Sequence, residues 1–327
     1  MTASLRSPDS APGGRVRARA FLWARTVALL ICAACASGLP MAGGAAHAQA
    51  RADSSAAGFD LEADLAHGAF RVRGAPNVAV HAGPGFDARA PLQLVVFLHG
   101  YSACVRMLMG SGQLRCRAED TWREGWDLAK HHDDARTNTL FVIPQLAYLK
   151  RDGSPGGFDK RGGFRAFLEE LLAGPLAEKL GGPRSLRDVA RIDLVAHSGG
   201  YHAALAILER GGVDRWLKSL VLFDALYGET PRFAGYVERH SQGPEPFRLI
   251  AISLPHGIPD RESSQLFQRL QHRLGSARVT TAEPAEIARR IRAYPIVIAH
   301  GTPPHRLVPA THLAGVMAAL YRSSEQP

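Results

Sequence analysis

Ser198 lies in the run Ile192-Asp193-Leu194-Val195-Ala196-His197-Ser198-Gly199-Gly200-Tyr201-His202-Ala203-Ala204-Leu205. An apolar, β-branched stretch enters a serine flanked by small residues, and a helical pattern starts at once. Such a bend lifts a hydroxyl clear of the backbone, and small residues two positions to either side, here Ala196 and Gly200, let strand and helix approach closely. The free N–H groups and positive dipole end of the following helix favour negative charge beside that hydroxyl. Attack by the serine on an acyl carbon is the chemistry this pattern suits. It requires a base to take the hydroxyl proton and a carboxylate to orient and stabilise the protonated base. No H-x-E-x-H run and no cysteine-rich ligand spacing is present, and the adjacent His131 and His132 are poorly placed to share an ion. Neither a metal nor another cofactor is therefore expected.

The elements that must hold such a serine are short apolar runs bounded by turn residues, alternating with helical patterns. Strands are predicted at Ala69 to Val72, Leu92 to His99, Thr139 to Ile143, Ile192 to Ala196, Leu220 to Phe223, Leu249 to Leu254 and Ile296 to Ala299. Helices are predicted at Gly163 to Leu180, Tyr201 to Arg210, Pro231 to Arg239, Ser263 to Leu274, Glu286 to Ala293 and Thr311 to Tyr321. This alternation implies an α/β fold, a mostly parallel central sheet with helices on both faces. One such domain is expected over 67–322, after a flexible N-terminal segment at 49–66 that is rich in Ala, Ser and Gly from Arg51 to Gly58.

The Ala196-x-Ser198-x-Gly200 bend, together with Leu94-Val95-Val96-Phe97-Leu98-His99-Gly100-Tyr101 upstream, resembles the α/β-hydrolase superfamily of serine esterases and lipases, from about residue 68 onward. Alanine stands where that family more usually has glycine. The upstream run looks like the family's third strand ending in its His-Gly turn, which implies an oxyanion site formed by the N–H groups of Tyr101 (or Ser102) and Gly199. The resemblance places the base after the last strand, which selects His305; His312 in the closing helix is the alternative, and His300 at the strand end is less favoured. For the acid, Asp224 at the end of one strand competes with Asp260 after the next, and Asp224 is preferred because it ends its strand at sheet-top level. Asp260 would otherwise cap a helix. His99, His197 and His202 are read as structural. Between Ser102 and Lys130 the connection is long enough to form part of a cap, with Trp122 and Trp126 as candidates to line an acyl pocket.

Hydrophobic residues make up 46% and charged residues 21% of the 327, which excludes wholesale disorder. Five arginines precede an uncharged stretch from Thr26 to Ala50, the pattern of an export signal, with a small-x-small site at Ala46-His47-Ala48 and cleavage expected before Gln49. An uncut anchor or lipid attachment at Cys35 are other readings of that stretch. Removing residues 1–48 lowers the formal net charge from +9 to +5. The remaining arginines are scattered without interleaved aromatics, so nucleic acid is not an expected partner. No stable membrane insertion is expected after cleavage, and the location is periplasmic or secreted. There Cys104 and Cys116, the only cysteines left, are expected to form a disulfide. The sequence thus points to an exported serine hydrolase acting on a small-molecule or acyl ester, with a peptidase or amidase using the same residues, and an inactive binding protein, as the other readings.

Overall fold

A computed structural model describes residues 58–243 and 245–322; the expected signal segment and its cleavage site lie outside them. Eleven strands occur among these residues: β1 (Phe59–Ala63), β2 (Val78–Ala82), β3 (Leu92–Leu98), β4 (Gln113–Leu114), β5 (Arg123–Glu124), β6 (Leu140–Pro144), β7 (Val189–His197), β8 (Leu217–Phe223), β9 (Arg248–Ser253), β10 (Val279–Ala282) and β11 (Ile296–His300). The helices are α1 (Val105–Met109), α2 (Leu128–Asp134), α3 (Gly163–Ala173), α4 (Tyr201–Arg210), α5 (Thr230–His240), α6 (Ile258–Leu274), α7 (Ile287–Ala293) and α8 (Val308–Arg322). Nine strands form one sheet in the order β1-β2-β6-β3-β7-β8-β9-β11-β10, while β4 and β5 pair separately. All neighbours from β6 to β10 are parallel, and β1 and β2 run antiparallel at one edge.

Successive side chains of a strand point to opposite faces, and the central strands are apolar on both, as a sheet covered by helices on both sides requires. Leu94, Val96 and Leu98 of β3 enter a core with Phe164 and Phe167 of α3, Leu205 of α4, Phe233 of α5 and Leu266 of α6. Val95 and Phe97 enter the other core with Leu108 of α1, Leu128 of α2, Ile291 of α7 and Leu320 of α8.

Six of the expected strands are present and one is not. Ala69 to Val72 alternates like a strand, but its chain turns, and the Ala69 carbonyl accepts from Gly157 N–H at 2.8 Å instead of from a neighbouring strand. Phe59–Ala63 is a strand of the main sheet where a flexible segment was expected, so the domain begins before residue 67. Helix α3 stops at Ala173, short of Leu180, because Pro175 has no N–H and forces the residue before it away from the helical region.

Asp193, in the middle of β7, is fully buried. Two N–H groups of Arg191 (2.6 and 2.9 Å), the hydroxyl of Ser219 (2.5 Å) and that of Tyr321 (2.5 Å) donate to it. The last bond fastens the end of α8 to the central strand. Removing the carboxylate would strand a guanidinium in the interior. Asp193→Ala should therefore destabilise the protein by about 3–5 kcal/mol, measured as a drop in denaturation midpoint; an unchanged midpoint would mean that the network contributes nothing.

Candidate active site

β7 ends at His197, and Ser198 turns directly into α4 with φ +52°. That left-handed conformation is uncommon for a residue with a Cβ. Close packing holds it there. A Cβ on Gly200 would lie 2.1 Å from the Leu98 carbonyl oxygen, and a Cβ on Gly100 would lie 2.6 Å from Ser198 Cβ. Both positions therefore need glycine for β3 and its turn to abut the bend. The first N–H groups of the turn that follows have no intrahelical acceptor, as at any helix start.

Asp224 follows β8, also at positive φ (+44°). Its Oδ1 accepts from Leu254 N–H at 3.0 Å, and its Oδ2 is 2.5 Å from His305 Nδ1. His305 opens a short 3₁₀ turn between β11 and α8. With Nδ1 committed to Asp224, Nε2 is the nitrogen left for another partner. Ser198 and His305 line one cleft of about 470 Å³ with Tyr101, Met107, Arg123, Trp126 and His197 among its walls. A second cleft, about 560 Å³, lies toward the opposite ends of the strands around Gln93, Lys218 and Arg248, and neither Ser198 nor any histidine lines it.

The competing residues are engaged elsewhere. Asp260 sits in the first turn of α6, accepts from His256 N–H at 2.9 Å and faces His300 Nδ1 at 3.3 Å. This is the helix-start role the sequence allowed for it. His312 is in α8 with its Nε2 buried and unbonded, near Gly301, and it does not line the cleft. Ser102 N–H is committed to the Lys150 carbonyl at 2.9 Å, which leaves Tyr101 as the upstream backbone donor of the two considered. The Tyr101 ring lies over Gly199, where an added Cβ would come within 2.4 Å of it.

His99 holds the turn through hydrogen bonds, as expected. Its Nδ1 donates to the Gly100 carbonyl at 2.7 Å, and its Nε2 accepts from Leu146 N–H at 2.9 Å. His197 does more than pack. Its Nε2 donates to the His305 carbonyl at 3.1 Å, and its ring lies between Trp126, edge-on at 5.3 Å, and the tilted His305 ring at 4.6 Å between centres. The residue before the serine thereby fixes the turn that carries the second histidine. Tyr227 escaped the sequence reading as a site residue: it stands edge-on to His305 at 6.5 Å.

Of the two tryptophans, Trp126 lines the cleft, whereas Trp122 is exposed under the Arg115 guanidinium. The Cys104–Cys116 disulfide is present with Cα atoms 6.1 Å apart, and it braces α1, whose Met107 is a cleft wall. Closing a loop of that length contributes about 3 kcal/mol in the chain-entropy model.

No family model matches the sequence, and no curated protein matches it significantly. Solved structures do match its fold. A mutant of the feruloyl esterase module from Clostridium thermocellum, complexed with sinapinate, superposes with a TM-score of 0.51 at 10% identity, over 83% of this chain and 90% of that one. The chain has the α/β-hydrolase fold. A Pyrobaculum calidifontis esterase (TM-score 0.39, 14% identity, 82% of this chain and 83% of that) is also similar. So is brefeldin A esterase, a bacterial homologue of human hormone-sensitive lipase (TM-score 0.40, 12% identity, 83% and 79%). In this α/β-hydrolase fold the carboxylate nearest the histidine follows β8, not β9.

Burial holds His99 and His197 in the neutral form, with pKa values lowered from 6.5 to about 4 and about 3. The unfolded chain takes up these protons as the pH falls below 6.5, while the folded chain resists. Stability should thus be full near neutrality and decline on acidification from about pH 6.5 toward about pH 3. Thermal melts across that range check this, and His99→Asn, though less stable at neutrality, should lose less on acidification.

Proposed function

We propose that this protein is an exported serine hydrolase that cleaves an ester through an acyl-enzyme on Ser198. In this reading His305 Nε2 takes the Ser198 proton as the oxygen attacks the acyl carbon. Asp224 holds the ring in the tautomer that leaves Nε2 free and stabilises the imidazolium that forms. The Tyr101 and Gly199 N–H groups receive the oxyanion. His305 then protonates the departing alcohol, and the same histidine draws a proton from water to release the acid.

The observation that carries the proposal is the 2.5 Å contact between Asp224 Oδ2 and His305 Nδ1 beside a serine on a strained strand-to-helix turn in one cleft. The comparison proteins named as esterases are consistent with it. Cleft polarity suits a neutral or acidic ester: Arg306 is paired with Glu124 at 2.6 Å, whereas Arg123 and Arg151 line the cleft without an ion pair among the described residues. For the route of export, what supports the reading is the N-terminal segment and the disulfide. Among the described residues no helix is long and apolar enough to cross a membrane.

Turnover of short- and long-acyl esters tests the proposal. Ser198→Ala and His305→Ala should abolish it, Asp224→Asn should lower kcat by about 10³–10⁴-fold, and Asp260→Asn and His312→Ala should retain it. Loss of activity in Asp260→Asn with retention in Asp224→Asn would reverse the assignment of the acid. Sequencing the secreted protein's N-terminus should read from Gln49.

A further inference from the structure

Toward the β1–β2 edge of the sheet, away from Ser198 at the end of the central strand β7, three side chains able to ligate an ion converge. His81, in β2, is buried, and strand alternation points it to the face covered by α2. Across the β1–β2 register it meets Asp60, whose Oδ1 is 2.7 Å from His81 Nδ1. With Nδ1 donating to Asp60, Nε2 lies 2.8 Å from Asp133 Oδ1, a contact that takes either a second proton on the ring or a cation shared by the two atoms. His132, on α2, is 1% exposed, stacked on Phe141 and edge-on to His81 at 5.6 Å. Its Nε2 is 2.6 Å from the Thr139 hydroxyl, which in turn contacts the Thr137 hydroxyl at 2.8 Å. Its other nitrogen, Nδ1, is buried with no hydrogen-bond partner.

One ligand atom from each of His81, His132 and Asp133 lies within 4.8 Å of the other two. A single proton on His81 Nε2 would satisfy Asp133 but leave His132 Nδ1 orphaned, and an unpartnered buried polar atom is costly. A divalent cation answers all three at once. The outer groups are also those a metal site uses: a carboxylate on the far nitrogen of one histidine and a hydroxyl on that of the other orient the two rings. Glycine at position 83 keeps the place of the third ligand open, since a Cβ there would lie 2.3 Å from Asp133 Oδ1.

We propose that His81, His132 and Asp133 bind a zinc-class divalent metal ion that ties β2, next to the edge strand β1, to α2. Two imidazoles and one carboxylate oxygen suit such an ion, and donors at about 2.0–2.1 Å from it stand about 3.4 Å apart in a tetrahedron. To reach that spacing His81 and Asp133 part by about 0.6 Å, and the His132 nitrogen, within 4.8 Å of both, closes on the ion. The Asp133 side chain is 32% exposed, so water reaches the fourth position. The ion is structural: it sits at the level of Phe141, which faces His81 across the β2–β6 register near the start of the parallel strands, while Ser198 lies beyond their ends. This departs from the expectation that the protein holds no metal.

The tag-free protein, stripped with a chelator, should take up one equivalent of Zn²⁺. Its Tm should rise by about 5 °C when the metal is about 100-fold above its Kd. Co²⁺ should give the visible absorption of a tetrahedral site. His132→Phe, which keeps the stack on Phe141, and the half-exposed Asp133→Asn should each lose the Tm rise and the cobalt spectrum. The proposal is overturned if the stripped wild-type protein binds neither metal at micromolar concentration, which would leave the trio an imidazolium–carboxylate cluster, or if both variants bind as well as the wild type.

Discussion

The site depends on a backbone constraint: Ser198 is held at φ +52° where β7 gives way to α4. A serine in that conformation costs of order 1–3 kcal/mol and persists only where its surroundings leave no alternative. Here they leave none. β7 is hydrogen-bonded on both sides by parallel strands, α4 is sealed into the core through Ala203, Ala204 and Leu205, and Gly100 and Gly200 bring the β3 turn against the bend. The rigidity of the sheet thus fixes the position of one hydroxyl.

The second half of the site is built on the same principle from different pieces. Asp224 also occupies a left-handed conformation directly after a central strand, with one oxygen committed to Leu254 N–H and the other to His305. His305 has no strand of its own to hold it. Its turn is secured by His197 below, through a backbone carbonyl, and by Asp224 beside it. The helix that follows is fastened to β7 by Tyr321 and Asp193. A loop residue therefore acquires the precision of the sheet through two side chains that themselves flank or end its strands.

Much of this was legible in the sequence because the central strands are apolar on both faces and short, and because the serine bend is a local pattern. The sheet edge was less so. Phe59–Ala63 alternates apolar and acidic residues and packs on one face only, β2 is broken by His81, and β10 is a four-residue strand rich in threonine. Ala69 to Val72 has the alternation of a strand but is claimed by a neighbouring turn, which composition cannot reveal. Both Asp224 and Asp260 satisfied the required chain order, and only the spatial position of His305 separates them. The clustering of His81, sequence-distant from His132 and Asp133, is likewise a product of strand register and was invisible to any search for ligand spacing.

Reaction of the folded protein with a fluorophosphonate, followed by peptide mapping, probes the proposed nucleophile most directly. One adduct should form, on Ser198, and the protein with Asp224→Asn should acquire it far more slowly than the wild type. An unlabelled Ser198 in protein that melts cooperatively, or an adduct on another residue, would contradict the assignment and leave the α/β-hydrolase fold standing without that chemistry.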